Sequence, residues 1–312
     1  MSADAPATST TIAKATTVAI THTQSATPGP LFVAHDFVGD DVFGHGIEGP
    51  TVGPDGTVYV VGYGPKAGIA AVATQADGSG KASAFLNLAD GRTPNALQYT
   101  TGGDIYVADY TGHNVLRIDM ATDKVSVYAH LEGAHQPNDI AFAPDGTIYA
   151  SDPDWKNGTG QLWKITPGGH ASVIETGMGT TNGIEVSPDG KHLYVNESVQ
   201  RKVWKYDIEA DGSLSHKRLL LSFDDAGLDG MRCDTRGNLY IARYGAGRVL
   251  VVSPEGQILH KVELKGQDPT NLAFGGDDKR RVYVTLQDRG AIETFRSKYP
   301  GRPYPPSPKS GS

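Results

Sequence analysis

Gln136-Pro137-Asn138-Asp139-Ile140-Ala141-Phe142-Ala143-Pro144-Asp145-Gly146-Thr147-Ile148-Tyr149-Ala150-Ser151 holds two short strands and the turn between them. Residues 139–143 are mostly apolar. Pro144-Asp145-Gly146 then turns the chain, because Pro presets its φ and Gly tolerates a positive one. Residues 147–151 are β-branched and aromatic, as a half-buried strand requires. Downstream, residues 161–165 alternate polar and apolar, and residues 171–175 complete a set of four strands.

The same unit recurs along the chain. Tyr149 belongs to a series with Tyr59, Tyr106, Tyr194, Tyr240 and Tyr283, at spacings of 47, 43, 45, 46 and 43 residues. Each follows a turn rich in Gly, Asp or Asn. A period of about 40–50 residues built from short strands is the mark of a β-propeller. The reading is all-β: six blades of four antiparallel strands. The sixth repeat supplies only three strands, at residues 271–274, 281–284 and 291–295. The missing outer strand is expected at residues 31–36, closing the ring as an N-terminal strand in the last blade and leaving fewer bare edges. The expected domain plan is a flexible tail over 1–28, the propeller over 29–298 and a Pro-rich disordered tail over 299–312.

Bulk properties narrow the function. A net charge of −7 gives no reason to expect nucleic acid or an anionic membrane as partner. No apolar run reaches the roughly 20 residues that span a bilayer. The single cysteine, Cys233, excludes an intrachain disulfide and reads as a buried small residue. The first 28 residues show neither a basic n-region nor an apolar h-region, so the cytoplasm is the default, with the periplasm open had a signal been removed. The chain is expected to be a monomer or a weak homo-oligomer.

Eleven or twelve residues before each tyrosine stand Glu48, Asn95, Asn138, Asn182, Asp229 and Asn271. In a propeller these six would face one axis. Carboxylate and amide oxygens suit a hard cation such as Ca²⁺, which takes six to eight oxygen ligands. Glu48 and Asp229 would balance its charge and would repel each other without it. No His or Cys stands at an axial position, which disfavours Zn²⁺ while leaving it in the set with Mn²⁺, Fe²⁺ and Mg²⁺. Against this stands a plain alternative, that Asn before Gly merely makes a turn. Asn95 and Asn271, with little carboxylate company, read as structural, and Asn95 is kept as a substrate contact.

Glu48-Gly49-Pro50, Gln136-Pro137-Asn138-Asp139, Thr181-Asn182-Gly183, Leu228-Asp229-Gly230-Met231 and Pro269-Thr270-Asn271-Leu272-Ala273-Phe274-Gly275-Gly276 together resemble the gluconolactonase/regucalcin (senescence marker protein) family over residues 30–296. Each motif alone is weak; five in order at blade spacing are specific. The resemblance implies a six-bladed propeller with one catalytic divalent cation on its axis, Ca²⁺ first. It implies a lactonase acting on a sugar lactone, with Glu48, Asn138, Asn182 and Asp229 as ligands and Asn138 and Asp229 as catalytic residues. The chemistry would be Lewis-acid activation of a carbonyl, attack by water, and Asp229 taking its proton. Relatives often carry Arg two residues before the blade-three Asn, where this chain has Gln136, and an aromatic where it has Thr51. The alternatives are an arylesterase or organophosphate hydrolase on the same cation, and a binding propeller whose metal is structural. A metal-free strictosidine-synthase-like propeller is a further one, disfavoured by the two carboxylates. Around the mouth, Asn95, Asp109, Asp152, Trp155, Gln136 and His45 are the candidate substrate contacts, with Tyr110, Asp154, Glu197, Arg243, His135 and Met178 on neighbouring loops.

Overall fold

A computed structural model describes residues 29–63, 68–88 and 91–308. The expected tail over 1–28 and part of Gly62-Tyr63-Gly64-Pro65 lie outside them. The described residues form six sheets of four antiparallel strands each, as the repeat requires. Five blades run in sequence order from inner to outer strand. In the sixth, Pro269–Gly275, Arg281–Leu286 and Ala291–Arg296 are completed by the N-terminal strand His35–Val38. This strand pairs His35 with Thr294 and Val38 with Ile292 across a bulge. It starts a few residues later than expected, because Phe37 and Val38 are the side chains the core takes up. Both are buried, with the Phe37 ring 4.8 Å from that of Tyr283. Leu31, by contrast, only bridges to Arg296 and stays exposed.

The repeated tyrosines are the mortar between blades. All six are at most 9% exposed. Tyr106 meets Phe142 of the next blade edge-on at 5.3 Å, and Tyr240 meets Phe274 at 5.0 Å. Burial of such rings, in six clusters set between neighbouring sheets, is the main stabilising term.

The inner strands break register where the site begins. The ladder slips between Glu48 and Thr51, Pro94 and Leu97, Thr181 and Ile184, and Pro269 and Leu272. In the other two blades the inner strand starts only at Ile140 and at Met231, so Asn138 and Asp229 precede it. A bulge or late start frees the residue from the ladder and re-aims its side chain.

Residues 299–308 contradict the expectation of a disordered tail. They lie across the far end of the channel and bond to blade after blade. Thr101 N donates to Pro305 O, Gly301 N to Lys279 O, and Arg302 N to Cys233 O. Ser307 Oγ bonds Thr100 Oγ1 at 2.7 Å, and Lys279 Nζ donates to Tyr304 OH at 3.0 Å. Proline lacks only a donor, so a proline-rich segment can lie extended on a surface if other groups anchor it.

Candidate active site

At the end of the ring opposite the C-terminal segment lies a cavity of about 600 Å³. Glu48, Asn95, Asn138, Asn182 and Asp229 line it, with Tyr110, Trp155 and Tyr244 among its walls. Five of the six residues read from the sequence therefore line the cavity; Asn271 lies beneath it, with its side chain in hydrogen-bonding reach of Glu48. There its Oδ1 accepts from Leu272 N at 2.9 Å and its Nδ2 points to Asp139 at 3.5 Å.

The glycines that follow the axial residues explain the close packing of the ring. A Cβ on Gly49 would sit 2.2 Å from the Asn95 carbonyl oxygen, one on Gly183 would sit 2.3 Å from that of Asp229, and one on Gly230 would sit 2.0 Å from the Asn271 side chain. Each glycine thus clears room for the axial residue of the next blade. The Asn-Gly and Asp-Gly pairs here are close approaches between strands, and the turn reading falls.

The electrostatics disfavour two bare carboxylates at the floor. Glu48 and Asp229 lie within hydrogen-bonding reach of each other. Burial first, opposed by the Gly49 amide and reinforced by the charge of Asp139, pushes the Glu48 carboxyl up to about 7. Burial and then the charge of Glu48 push the Asp229 carboxyl well up too. The Oδ1 atoms of Asn182 and Asp229 are buried without any hydrogen-bond partner. The Asn138 side chain bonds no described residue, although its backbone carbonyl accepts from Asn95 Nδ2 at 3.0 Å. Two carboxylates with two uncommitted amide oxygens fit a hard divalent cation. No group of three His, Cys, Asp or Glu side chains that could hold a metal occurs among the described residues.

Beneath this floor the axis holds a buried ionic stack. Arg232 forks onto Asp139 at 2.8 and 3.1 Å, and with the Gln98 amide turned so that its oxygen faces the guanidinium it also donates there at 3.0 Å. Arg302, from the C-terminal segment, pairs with Glu185 at 3.0 Å and donates to Phe142 O at 2.9 Å. Four axial carboxyls (Glu48, Asp139, Glu185 and Asp229) thus face two guanidiniums. Were all four ionised, the excess would be two negative charges, the charge that one divalent cation would balance.

The mouth differs from the expectation. Trp155 and Asn95 line the cavity; Asp109, Asp152, Gln136 and His45 do not. Asp109 is fully buried and absorbed by Gly112 N and Asn114 Nδ2 at 3.0 and 2.8 Å. Asp152 is equally buried and accepts from the backbone amides of His135 and Gln136 and from Gln161 and Trp163. Both carboxylates tie blade loops together and are committed to donors of their own blades. Gln136 Oε1 accepts from Trp155 N at 3.4 Å, which makes it a support for the Trp155 loop. His45 is exposed and bonds Gln287 O at 3.1 Å, just behind the wall. Arg243 pairs with Asp225 and lies 3.7 Å over the Phe223 ring. Glu197 accepts from Gly179 N, and Met178 is core. Sequence reasoning missed Ser198, Val199, Arg201, Tyr244 and Gln287, all in or beside the turns after second strands. The signal was their position, equivalent from blade to blade, since their residue types follow no pattern.

Comparison with known proteins agrees with the fold. A 6-deoxy-6-sulfogluconolactonase from Pseudomonas putida is 33% identical over 146 residues, 45% of this chain and 50% of that protein. Regucalcin from Xenopus laevis is 35% identical over 146 residues, 45% of this chain and 48% of that protein. The chain thus spans about half the length of the curated relatives it matches. The solved structure of a calcium-binding protein, regucalcin, from Agrobacterium tumefaciens superimposes with a TM-score of 0.74 at 21% identity, covering 90% of this chain and 99% of that one, which speaks for the fold alone. Residues 75–288 match the SMP-30/Gluconolactonase/LRE-like region, and the chain belongs to that family.

Proposed function

We propose that this chain is a divalent-cation-dependent lactonase acting on a small sugar lactone in the axial cavity. The observation that carries the reading is the cavity floor. Two carboxyls in mutual contact and two unpartnered oxygens, on Asn182 and Asp229, sit there beneath a cavity large enough for a monosaccharide. The lactonase named among the relatives supports the choice of reaction.

Glu48, Asn138, Asn182 and Asp229 would hold the cation, with Ca²⁺ the first choice for an all-oxygen set. A cation there supplies Lewis-acid polarisation of a carbonyl and stabilises negative charge on its oxygen. The protein's own part starts from Asp229, whose carboxylate takes a proton from the attacking water. As the new carbon–oxygen bond forms, the ring carbon–oxygen bond breaks, and the proton passes to the departing alkoxide. The free Asn138 amide orients the lactone. Tyr110, Trp155 and Tyr244 present flat walls that exclude water from the sugar ring. The aromatic walls also favour a second reading, an arylesterase on the same floor.

Chelator-stripped protein should be inert toward glucono-δ-lactone and regain hydrolysis with added Ca²⁺, Mn²⁺ or Mg²⁺. Asp229→Asn should lower kcat by roughly 10²–10⁴, the usual worth of a general base. Activity on dihydrocoumarin and phenyl acetate far above that on sugar lactones would favour the esterase. Inertness toward all of these with every metal would leave a binding propeller.

A further inference from the structure

Once the axial carboxylates are neutralised, one charge remains among the described residues of the cavity wall. Arg201 is the only cationic side chain among the described lining residues. It lies in the turn between His192–Glu197 and Lys202–Ile208, in the blade that supplies Asn182. The turn is held firmly. Arg201 N donates to Ser198 O at 3.3 Å, Phe223 N donates to Arg201 O at 3.0 Å, and the Arg201 backbone takes a left-handed φ of 58°. The guanidinium spends one donor on the Asp224 carbonyl at 2.6 Å. It meets no carboxylate at ion-pair distance among the described residues. Most arginines elsewhere on the surface behave differently: Arg117, Arg218, Arg248, Arg289 and Arg296 each face an acid. A positioned guanidinium with unspent donors at a cavity mouth is built for a planar or tetrahedral anion.

We propose that Arg201 is a specificity-determining residue that selects lactones bearing an anionic substituent, a carboxylate or an oxyanion such as phosphate, away from the ring carbonyl. This rests on the lactonase reading and deepens it. The aromatic walls would hold the ring, the floor would take the carbonyl, and Arg201 would read the far end.

The test pairs lactones that differ only in that group, with Ca²⁺-loaded protein. D-glucaro-1,4-lactone is compared with D-glucono-1,4-lactone for a carboxylate, and 6-phosphoglucono-δ-lactone with glucono-δ-lactone for a phosphate. Wild type should favour the charged member of at least one pair, and the favoured pair names the anion. In Arg201→Ala the charged-to-neutral ratio of kcat/KM should fall roughly tenfold to a hundredfold, chiefly through KM, with part of the loss recovered in Arg201→Lys. An unchanged ratio, or equal loss on both members, would overturn the proposal. Should wild type hydrolyse none of the four, the lactonase reading fails on its own. Calorimetric titration with glucarate and 6-phosphogluconate then decides about Arg201: binding weakened tenfold or more by Arg201→Ala upholds anion selection, and binding indifferent to the substitution, or absent, overturns it.

Discussion

At the residue scale, the site depends on what stands beside its axial residues as much as on those residues. Gly183 shows this best. A methyl there would meet the Asp229 carbonyl oxygen at 2.3 Å and Asn196 Nδ2 at 2.8 Å, the amide that itself bonds that carbonyl. Neither neighbour is a free side-chain end, so Asp229 would have to move. Gly183→Ala should therefore lower stability by about 1–3 kcal/mol, the usual cost of overpacking. It should also weaken Ca²⁺ binding at least tenfold by calorimetry. Gly39→Ala, where nothing lies within 4 Å, is the control and should change neither. Normal Ca²⁺ affinity in Gly183→Ala would show that the ring tolerates displacement. The ring residues were legible in the sequence because one period fixes all six; the acids at the mouth were misread because their roles depend on donors from other strands. Asp109 and Asp152 look like site carboxylates until Asn114, Gln161 and Trp163 are seen to consume them.

Among the elements, the segment over 299–308 departs most from its composition. Pro-rich sequence argues for disorder only when nothing anchors it, and here Arg302, Tyr304 and Ser307 are the anchors. No periodicity announces them, because each meets a different blade. Arg302 carries the largest consequence. Its partner Glu185 is 1% exposed, and its Oε2 already lacks a hydrogen bond. Arg302→Ala would leave that carboxyl buried and unpaired, a loss on the order of 3–5 kcal/mol for a broken buried pair. Adding Glu185→Gln should restore part of it. Denaturant unfolding of the two variants checks this, and a single variant as stable as wild type would show the segment to be a passive cover. The closing strand, in contrast, was readable in advance, because a three-stranded last repeat demands a fourth. Only its start shifted, toward the residues that bury, Phe37 and Val38.

Over the whole molecule, the propeller concentrates four acids and two arginines on one axis, and the stability of the metal-free protein should report that imbalance. Glu48 holds its proton up to about 7 in the folded chain, against an ordinary value of 4.5 once unfolded. Between those two pH values the native state binds more protons than the unfolded one. Stability of the chelated protein must therefore be highest at the acidic end of this window and fall as pH rises through it. The loss from Glu48 is on the order of 3 kcal/mol, complete above about pH 7. Asp229, raised in the same direction, adds to it. This is the reverse of a salt-bridged carboxylate, whose contribution disappears as pH falls. Ca²⁺ favours the ionised forms of both groups, so the calcium-loaded protein should show no such fall, and the stabilisation by Ca²⁺ should grow from pH 5 to pH 7.5. Thermal melts across that range, with chelator and with Ca²⁺, measure both slopes. Parallel curves would mean that the two carboxyls are ionised and separately solvated without metal, and the argument for a cation at the cavity floor would lose its electrostatic basis.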